Sequence, residues 1–328
     1  MYTELLNGIP DAKSDKLKHF LRKAGLELDL SAEKTVLIWD EGEIIATASR
    51  YGNILKCIAV DEKRQGEGLV SKVITELKND ASSEGIRHLF IYTKPENRKI
   101  FTDLFFYPIA ETEDVLLLEN KKHGITDFVS SLSEKNPARD AGCIVMNCNP
   151  FTLGHKYLIE TASKKCRKLY VFVVSENRSK FSFADRIEMV RRGTSHIDNV
   201  VVLETGPYLI STATFPTYFL NKNISPDAVK CRIDIKIFNE YFVPHFGIKK
   251  RFVGTEPFSG ITNEYNKELK RLLPEAGIEL IEVERMKFSG VPISASEVRG
   301  LIDIGETEKI KSLVSETTYN YLVEKSLV

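Results

Sequence analysis

The sequence lacks a long apolar run, an excess of either charge and a cysteine pair. No stretch of its 328 residues approaches the ~20 apolar residues of a membrane-spanning helix. Residues 1–11 lack the basic and apolar regions of a signal peptide. Lys plus Arg and Asp plus Glu number 46 each, so no net field favours nucleic acid or a membrane as partner. Because the five cysteines are scattered and form no CxxC pair, we expect a cytoplasmic protein without a disulfide framework or a structural zinc site.

The length and the pattern of elements predict two domains. Residues 133–140, SEKNPARD, are polar and aperiodic and contain a proline, so we place the boundary between residues 1–138 and 139–328. In the first domain, the apolar spacing predicts that the first 30 residues are helical, followed by strands and then a helix at 69–78. From residue 143 onward, strands alternate with helices, which indicates a parallel sheet covered on both faces. The predicted fold class is α/β: a mixed domain, then a Rossmann-like parallel sheet.

The strongest motif is NCNPFTLGH at residues 147–155, which follows the buried strand 143–146 and opens a helix. The carboxyl end of a parallel strand is where ligands bind, and a helix start offers free N–H groups to phosphate. Gly154 lets a ligand approach the backbone, and His155 lies in the first helical turn. A partly buried, backbone-satisfied histidine is the alternative. The helix dipole disfavours a cationic His155 ring at the helix N-terminus unless the negative charge of a phosphate compensates it.

A second motif, ISASEVR at residues 293–299, lies near the chain end. Ser294 has the position of an N-cap, and Glu297 completes the spacing of a capping box. By itself this pattern indicates a well-capped helix with Arg299 exposed. Together with the first motif, it indicates two helix starts and an arginine that hold a triphosphate.

Two further segments are candidates. KFSFADR at 180–186 contains Arg186, which is either a surface residue or a phosphate contact, and Lys180. GTEPF at 254–258 follows a predicted strand and is either a simple turn or a ribose or base contact. Cys148, inside the first motif, is interpreted as packing beneath the loop rather than as a nucleophile.

These segments resemble the nucleotidyltransferase superfamily, whose motifs are (His/Thr)-x-Gly-His and Ile-Ser-x-(Ser/Thr)-x-x-Arg. The resemblance covers residues 141–328 and implies ATP as substrate, with Mg²⁺. Thr152 stands where many members have histidine, so a hydroxyl replaces one imidazole. The catalytic residues that the resemblance implies are His155, Thr152, Arg299 and Ser294. The nucleotide-binding residues that it implies are Asn147, Asn149, Pro150, Phe151, Gly154, Lys156, Arg186, Gly254, Thr255, Glu256 and Ser296.

The first domain contains KRQGEG at residues 63–68 between a predicted strand and a helix. Such a glycine turn is either an ordinary strand-to-helix connection or an anion cradle. With the later helix PENRKIFTDLFF at 95–106, it resembles the GNAT acetyltransferase fold. Lys63 stands where that family has Arg or Gln. The resemblance implies that the loop at Gly66 and Gly68 binds the pyrophosphate of a coenzyme A-like group.

The combination of the two domains resembles the citrate lyase ligase family. That resemblance implies a ligase that activates acetate with ATP and releases pyrophosphate. The acetyl group then passes to the thiol of a dephospho-coenzyme A-type group on the acyl carrier subunit of citrate lyase, forming a thioester and AMP.

Two alternatives stay open. One is an adenylyltransferase that acts on a phosphate ester such as phosphopantetheine or a mononucleotide. In the other, the first domain is a regulatory or binding module without a part in acyl transfer, since only Tyr92 and Tyr107 are candidates for a base there.

Overall fold

The computed structural model describes residues 1–176, 179–209, 215–220, 225–255 and 260–328, and for 260–264 the backbone alone. The described chain separates into two compact units. One comprises Met1–Gly124 with Pro216–Val229, and the other Ile125–Phe215 with Lys230–Val328.

The first unit is built on a mixed sheet. Its elements are, in chain order, β1 (Tyr2–Asn7), α1 (Asp11–Lys23), β2 (Lys34–Asp40), β3 (Glu43–Tyr51), β4 (Ile54–Val60), α2 (Leu69–Ser83), β5 (Phe90–Thr93), α3 (Arg98–Thr102), β6 (Tyr107–Glu111) and β7 (Leu116–Glu119). The sheet order is β1-β2-β3-β4-β5-β7-β6, and only β4 and β5 are parallel neighbours. A parallel pair needs a crossover, which α2 provides while burying Leu69, Val73 and Leu77 in the core.

Residues 2–7 form a strand, so the prediction of helix throughout the first 30 residues is wrong there. All six residues of β1 pair with β2, from Tyr2 opposite Trp39 to Asn7 opposite Lys34. The indole Nε1 of Trp39 also donates to Glu4 Oε2 at 3.0 Å. These partners come from distant sequence, so local apolar spacing does not reveal them.

The second unit is built on a parallel sheet. From Gly124 onward, the elements are α4 (Gly124–Glu134), β8 (Ala141–Met146), α5 (Leu153–Ser163), β9 (Leu169–Val173), α6 (Phe183–Thr194), β10 (Val200–Glu204), α7 (Pro226–Ile237), α8 (Val243–Phe246), β11 (Ile248–Gly254), α9 (Gly260–Leu272), β12 (Glu279–Val283), β13 (Lys287–Phe288), β14 (Val291–Pro292), α10 (Ala295–Asp303), α11 (Thr307–Lys311) and α12 (Glu316–Glu324). The order β10-β9-β8-β11-β12 is parallel throughout, and β13 and β14 pair separately. The predicted fold class, a mixed α/β domain followed by a parallel-sheet domain, is confirmed.

The strand order reverses between β8 and β11. From β8 the chain adds β9 and β10 on one side, then returns to add β11 and β12 on the other. At such a reversal the connections leave in opposite directions, which opens a crevice at the carboxyl ends of the two central strands. The loop after β8 is the NCNPFTLGH motif, so the topology places it at this crevice.

The division between the units falls at Gly124, whereas the predicted boundary at 138/139 lies inside the second unit. Phe128 of α4 packs against Tyr208 with ring centroids 5.5 Å apart, which ties this helix to the second unit. Conversely, the Tyr218 hydroxyl donates to the carbonyl of Tyr92 at 3.2 Å, so the segment from Pro216 belongs to the first unit. The composition of residues 133–140 indicates a polar segment, but it does not predict the contacts that assign α4 and the segment from Pro216 to their units.

In the described parts of the chain, no helix combines the length and apolarity that crossing a bilayer requires.

Candidate active site

A cavity of about 530 Å³ lies at the carboxyl ends of β8, β11 and β12 in the second unit. This volume is within the range of small-molecule sites, about 300–1,000 Å³. The residues predicted from the sequence that line it are Asn147, Thr152, Gly154, His155, Gly254, Ser294 and Ser296. The topology therefore brings residues of three separate motifs around one cavity.

Thr152 and His155 cap α5 reciprocally. The Thr152 hydroxyl accepts a hydrogen bond from the His155 amide at 3.4 Å, and the Thr152 amide donates to His155 Nδ1 at 3.0 Å. The arrangement satisfies two of the helix's unpaired amides and holds the imidazole over the loop. Since Thr152 is buried and its hydroxyl lies 3.0 Å from His155 Nδ1, it positions the ring. Thr152 also lines the cavity, and its expected contact with phosphate stays a prediction.

The same bonds set the protonation of His155. Nδ1 accepts a hydrogen bond from the main-chain amide of Thr152, so the neutral ring carries its proton on Nε2. Burial, reinforced by the positive charge of Arg285, lowers the pKa of His155 to about 4. The side chain is therefore a neutral hydrogen-bond donor at physiological pH. A neutral donor avoids the unfavourable dipole of the α5 N-terminus.

A second helix, α10, also begins at the cavity. Ser294 is its N-cap and accepts a hydrogen bond from the Ser296 amide at 3.2 Å. The capping box expected with Glu297 is not formed, because the Ser294 hydroxyl accepts from the amide of Ser296 and not from that of Glu297. Two helix N-termini, α5 and α10, thus share the cavity wall, which is an arrangement that suits phosphate groups.

Gly154 leaves room for a ligand between them. A β-carbon at this position would lie 3.5 Å from the Ile293 carbonyl oxygen and 3.6 Å from Thr152 Oγ1, which are ordinary contacts. Packing therefore does not require glycine here. The absent side chain leaves the first turn of α5 open to the cavity, as the predicted phosphate cradle requires.

Arg299 connects the two motifs. Its guanidinium donates to the carbonyl of Asn149 at 2.7 Å and to Ser296 Oγ at 2.8 Å. Arg299 is not among the lining residues of the cavity, so in this structure it holds the loop after β8 against the start of α10.

Arg186 differs from its expected place. It is fully buried, and its guanidinium donates to the carbonyls of Asn147 at 2.7 Å and Val174 at 2.9 Å, and to Asn147 Oδ1 at 2.7 Å. It also bonds the carbonyls of Phe181 and Glu176. Arg186 thus supports the loop from below through bonds inside the protein, and it is not among the residues that line the cavity. Charge and spacing alone could not distinguish this role from a surface or phosphate role.

The rest of the loop is packed into the core. Phe151 is fully buried and stacks on His155, with centroids 6.0 Å apart. Asn149 Oδ1 accepts from the Phe181 amide at 3.2 Å, and the bond from Asn149 to Pro150 is cis. Cys148 is buried, and burial raises the pKa of its thiol, which is therefore protonated and suited to packing. None of these side chains lines the cavity.

Other predicted ligand residues lie at the periphery. Lys156 is 3.7 Å from Glu160, and Lys180 pairs with Asp303. Neither lysine lines the cavity. Thr255 Oγ1 accepts from the Arg285 amide at 3.3 Å and so holds the strand ends together. Glu256 lies outside the described residues.

The sequence interpretation missed several polar residues of the cavity. Arg285 follows the carboxyl end of β12, so the rule that found the first motif would have found it. Arg251 lies within β11, where an arginine gives no sequence signal. Tyr265 and Asn266 on α9, Tyr157 on α5 and Glu284 after β12 were also missed.

The glycine loop of the first unit has the predicted backbone. Gly68 is the N-cap of α2 with φ +74°, and Gly66 has φ +85°. A β-carbon at either residue would meet nothing within 4 Å, so both face open space. The loop is exposed at the start of a 15-residue helix.

In the residues that the structure describes, no three His, Cys, Asp or Glu side chains form a group that could hold a metal ion. Glu284 is a carboxylate that lines the cavity.

A parallel sheet with two capped helix starts around a cavity at its strand-order reversal defines a nucleotide-binding α/β protein. Comparison with known proteins then specifies the family. Residues 141–322 match the family described as citrate lyase ligase C-terminal domain. The chain is 38% identical to a [citrate [pro-3S]-lyase] ligase of Klebsiella pneumoniae, which covers 95% of this chain and 93% of that one. It is 39% identical to the corresponding ligase of Haemophilus influenzae, covering 94% and 95%.

The chain belongs to the citrate lyase ligase family, and it is a ligase. A phosphopantetheine adenylyltransferase of Corynebacterium efficiens is 23% identical over 41% of this chain and 91% of its own. The adenylyltransferase alternative therefore has a relative for part of the chain, whereas the ligase relatives cover nearly all of it.

Proposed function

We propose that this enzyme uses ATP to acetylate the prosthetic-group thiol on the acyl carrier subunit of citrate lyase, through acetyl-AMP. The observation that carries the proposal is the neutral His155, held by Thr152 with its Nε2 proton free for a ligand oxygen. It lies where the N-termini of α5 and α10 meet one cavity. Family membership supplies the reaction class.

ATP fits the cavity on two grounds. The open first turn at Gly154 gives phosphate access to the α5 amides. Arg285, which lines the same cavity, adds a positive charge. Mg²⁺ usually binds through one or two carboxylates and the substrate's own phosphates, so Glu284 and the triphosphate are the groups that would hold it. When bound, the ion neutralises charge on the leaving pyrophosphate.

In the first step, an acetate oxygen forms a bond to the α-phosphorus, and the bond from that phosphorus to the bridging oxygen breaks. Pyrophosphate leaves with the electron pair. His155 donates to a phosphate oxygen as negative charge develops, and the amides at the starts of α5 and α10 donate to the others. One preorganised donor of this kind typically contributes about 2.7–4 kcal/mol, or about 10²–10³ in rate.

In the second step, the carrier thiolate attacks the acetyl carbonyl and AMP leaves. No protein nucleophile is needed, which agrees with the burial of Cys148. The exposed loop at Gly66 and Gly68 is the proposed binding site for the pyrophosphate of the carrier's arm, since its backbone opens the N-terminus of α2 to an anion. We place the reaction in the cytoplasm, in keeping with the five free cysteines.

The test is exchange of labelled pyrophosphate into ATP, with and without acetate. Acetate-dependent exchange is expected in the wild type. It should fall about 10²–10³-fold in His155→Asn. His196→Asn is the matched control, because His196 is exposed and lies 3.3 Å from Glu160 rather than in the cavity.

No exchange with acetate, combined with formation of a dinucleotide from phosphopantetheine or a mononucleotide, would instead establish the adenylyltransferase alternative. Gly66→Val separates the roles of the first unit. If the loop binds the carrier's arm, KM for the carrier rises while acetate-dependent exchange persists. An unchanged KM for the carrier would favour a regulatory module.

A further inference from the structure

Arg251 is a buried arginine in the cavity wall with an unpaired donor. It is 2% exposed and lies on β11. Its guanidinium carbon lies 4.3 Å from the centroid of the Phe238 ring. Its Nε has no hydrogen-bond partner among the described residues. Since buried polar groups are normally paired, an unpaired guanidinium N–H on an arginine that lines the cavity indicates a missing acceptor.

Among the residues that the structure describes, the charges around Arg251 do not balance. Lys230 lies 2.6 Å from Asp234, and both are buried. Burial opposes the charge of Lys230, but the Asp234 carboxylate more than compensates and raises the pKa of the lysine. Asp234 also experiences the positive charge of Arg251, so one carboxylate serves two cations in the described part of this cluster. An uncompensated buried cation is unfavourable, and an anionic ligand would relieve it.

The surroundings favour a small carboxylate as that anion. Val145 and Val253, on the same cavity wall as Arg251, are apolar and suit a short alkyl group. A guanidinium matches the planar geometry of a carboxylate. The triphosphate already has partners at the starts of α5 and α10. Arg251 lines the cavity from β11, and Tyr265 and Asn266 line it from α9, so none of the three belongs to either helix start.

We propose that Arg251 binds the carboxylate of the short acid that attacks ATP, and so serves as a substrate-positioning and specificity residue. The inference rests on the proposed function, and it names the part of that site that takes the acid. A single N–H from Nε holds one carboxylate oxygen and leaves the other with a free lone pair for attack on the α-phosphorus. Asn266 donates to the carbonyl of Gly254 at 3.2 Å and thereby fixes the end of β11 beside the acid.

The kinetic test compares Arg251→Met and Arg251→Lys with the wild type in acetate-dependent pyrophosphate exchange. KM for acetate should rise about 30-fold or more in Arg251→Met, which corresponds to about 2 kcal/mol at 1.4 kcal/mol per factor of ten. It should rise less in Arg251→Lys, which keeps the charge. KM for ATP should stay within about twofold. Arg271→Met is the matched control, because Arg271 is an exposed arginine of α9 paired with Glu268.

An unchanged KM for acetate in both folded variants would overturn the inference. A second measurement keeps it testable if Arg251→Met does not fold. Acetate should raise the melting temperature of the wild type, its neutral isostere acetamide should not, and Arg251→Lys should respond less to acetate than the wild type does. Equal responses to acetate and acetamide, or an undiminished response in Arg251→Lys, would contradict it.

The two proposals fail in different ways. If the wild type shows no acetate-dependent exchange but acetate still stabilises it through Arg251, the proposed reaction is wrong and the carboxylate site stands. If exchange occurs and does not depend on Arg251, the reaction stands and the site assignment is wrong.

Discussion

The guanidinium of Arg299 donates a 2.7 Å hydrogen bond to the main-chain carbonyl of Asn149, 150 residues earlier in the chain. The same side chain bonds Ser296 at 2.8 Å. Two motifs far apart in sequence are thus joined by one side chain. The distance between the N-termini of α5 and α10 depends on this bridge.

Replacing Arg299 by lysine should therefore slow pyrophosphate exchange although the charge is kept. Lysine cannot reproduce the two-pronged geometry, and a hydrogen bond to a charged group contributes about 1.5–3 kcal/mol, or roughly 10- to 150-fold in rate. The measurement is the exchange rate at saturating ATP and acetate. The control is Arg192→Lys, which should stay within about twofold, because Arg192 is a half-buried arginine that pairs with Glu188 and Glu324. A full rate in Arg299→Lys would show that the bridge is dispensable.

Thr152→Val removes one hydroxyl at nearly constant volume. Losing an N-cap costs about 0.5–2 kcal/mol of unfolding free energy, and the His155 ring loses a partner, so both stability and exchange should fall. Urea unfolding and exchange measure the two effects. Thr152→Ser keeps the hydroxyl and should retain most of both. Equal behaviour of the serine and valine variants would argue against a positioning role.

His155 should make stability depend on pH in a defined window. In the unfolded chain its imidazole binds a proton below about pH 6.5, whereas the folded pKa is lowered to about 4. Its contribution to the stability of the unliganded protein is fully present above pH 6.5. It is lost as pH falls toward 4, by up to roughly 3 kcal/mol. The difference in unfolding free energy between wild type and His155→Asn, measured by urea from pH 7.5 to 4.5, should shrink accordingly.

The same lowered pKa predicts no inflection from His155 near pH 6.5 in the exchange rate. An inflection there that disappears in His155→Asn, or a pH-independent stability difference, would show that the folded imidazole titrates normally.

Gly193→Ala should destabilise the loop from beneath. A β-carbon there would lie 2.4 Å from Cε1 of the Phe151 ring, which stacks on His155. Overpacking of this kind costs about 1–3 kcal/mol, and exchange should fall with it. The control is Gly300→Ala on α10, where a β-carbon would meet nothing within 4 Å. Because alanine favours a helix more than glycine does, this substitution should raise the free energy of unfolding by about 0.5–1 kcal/mol. Thermal unfolding of the two variants should therefore shift in opposite directions.

Much of the site could be predicted from the sequence because its chemistry is local. Thr152, Gly154 and His155 open a helix after a buried strand, and a parallel sheet directs that junction toward ligands. Ser294 and Ser296 follow from the same logic of helix starts. The two domain classes likewise follow from the change in periodicity along the chain.

The remainder depends on contacts that sequence spacing does not encode. Arg186 and Arg251 are both charged residues within regular elements, where a surface position is the ordinary expectation. Arg186 is enclosed by carbonyl oxygens, and Arg251 lines the cavity. The sequence of β1 has no apolar pattern that distinguishes it as a strand. Its pairing with β2 identifies it in the structure.

The carbonyl oxygens gathered around Arg186 have a thermodynamic consequence. They hold the ends of β8 and β9 and the loop at Asn147 before any nucleotide arrives. A loop that is already ordered surrenders little chain entropy when it meets its ligand, so more of the gross interaction energy is retained as affinity. Main-chain amides of residues 147–152 should accordingly exchange slowly with deuterium in the free enzyme, and adding ATP should protect them only modestly further.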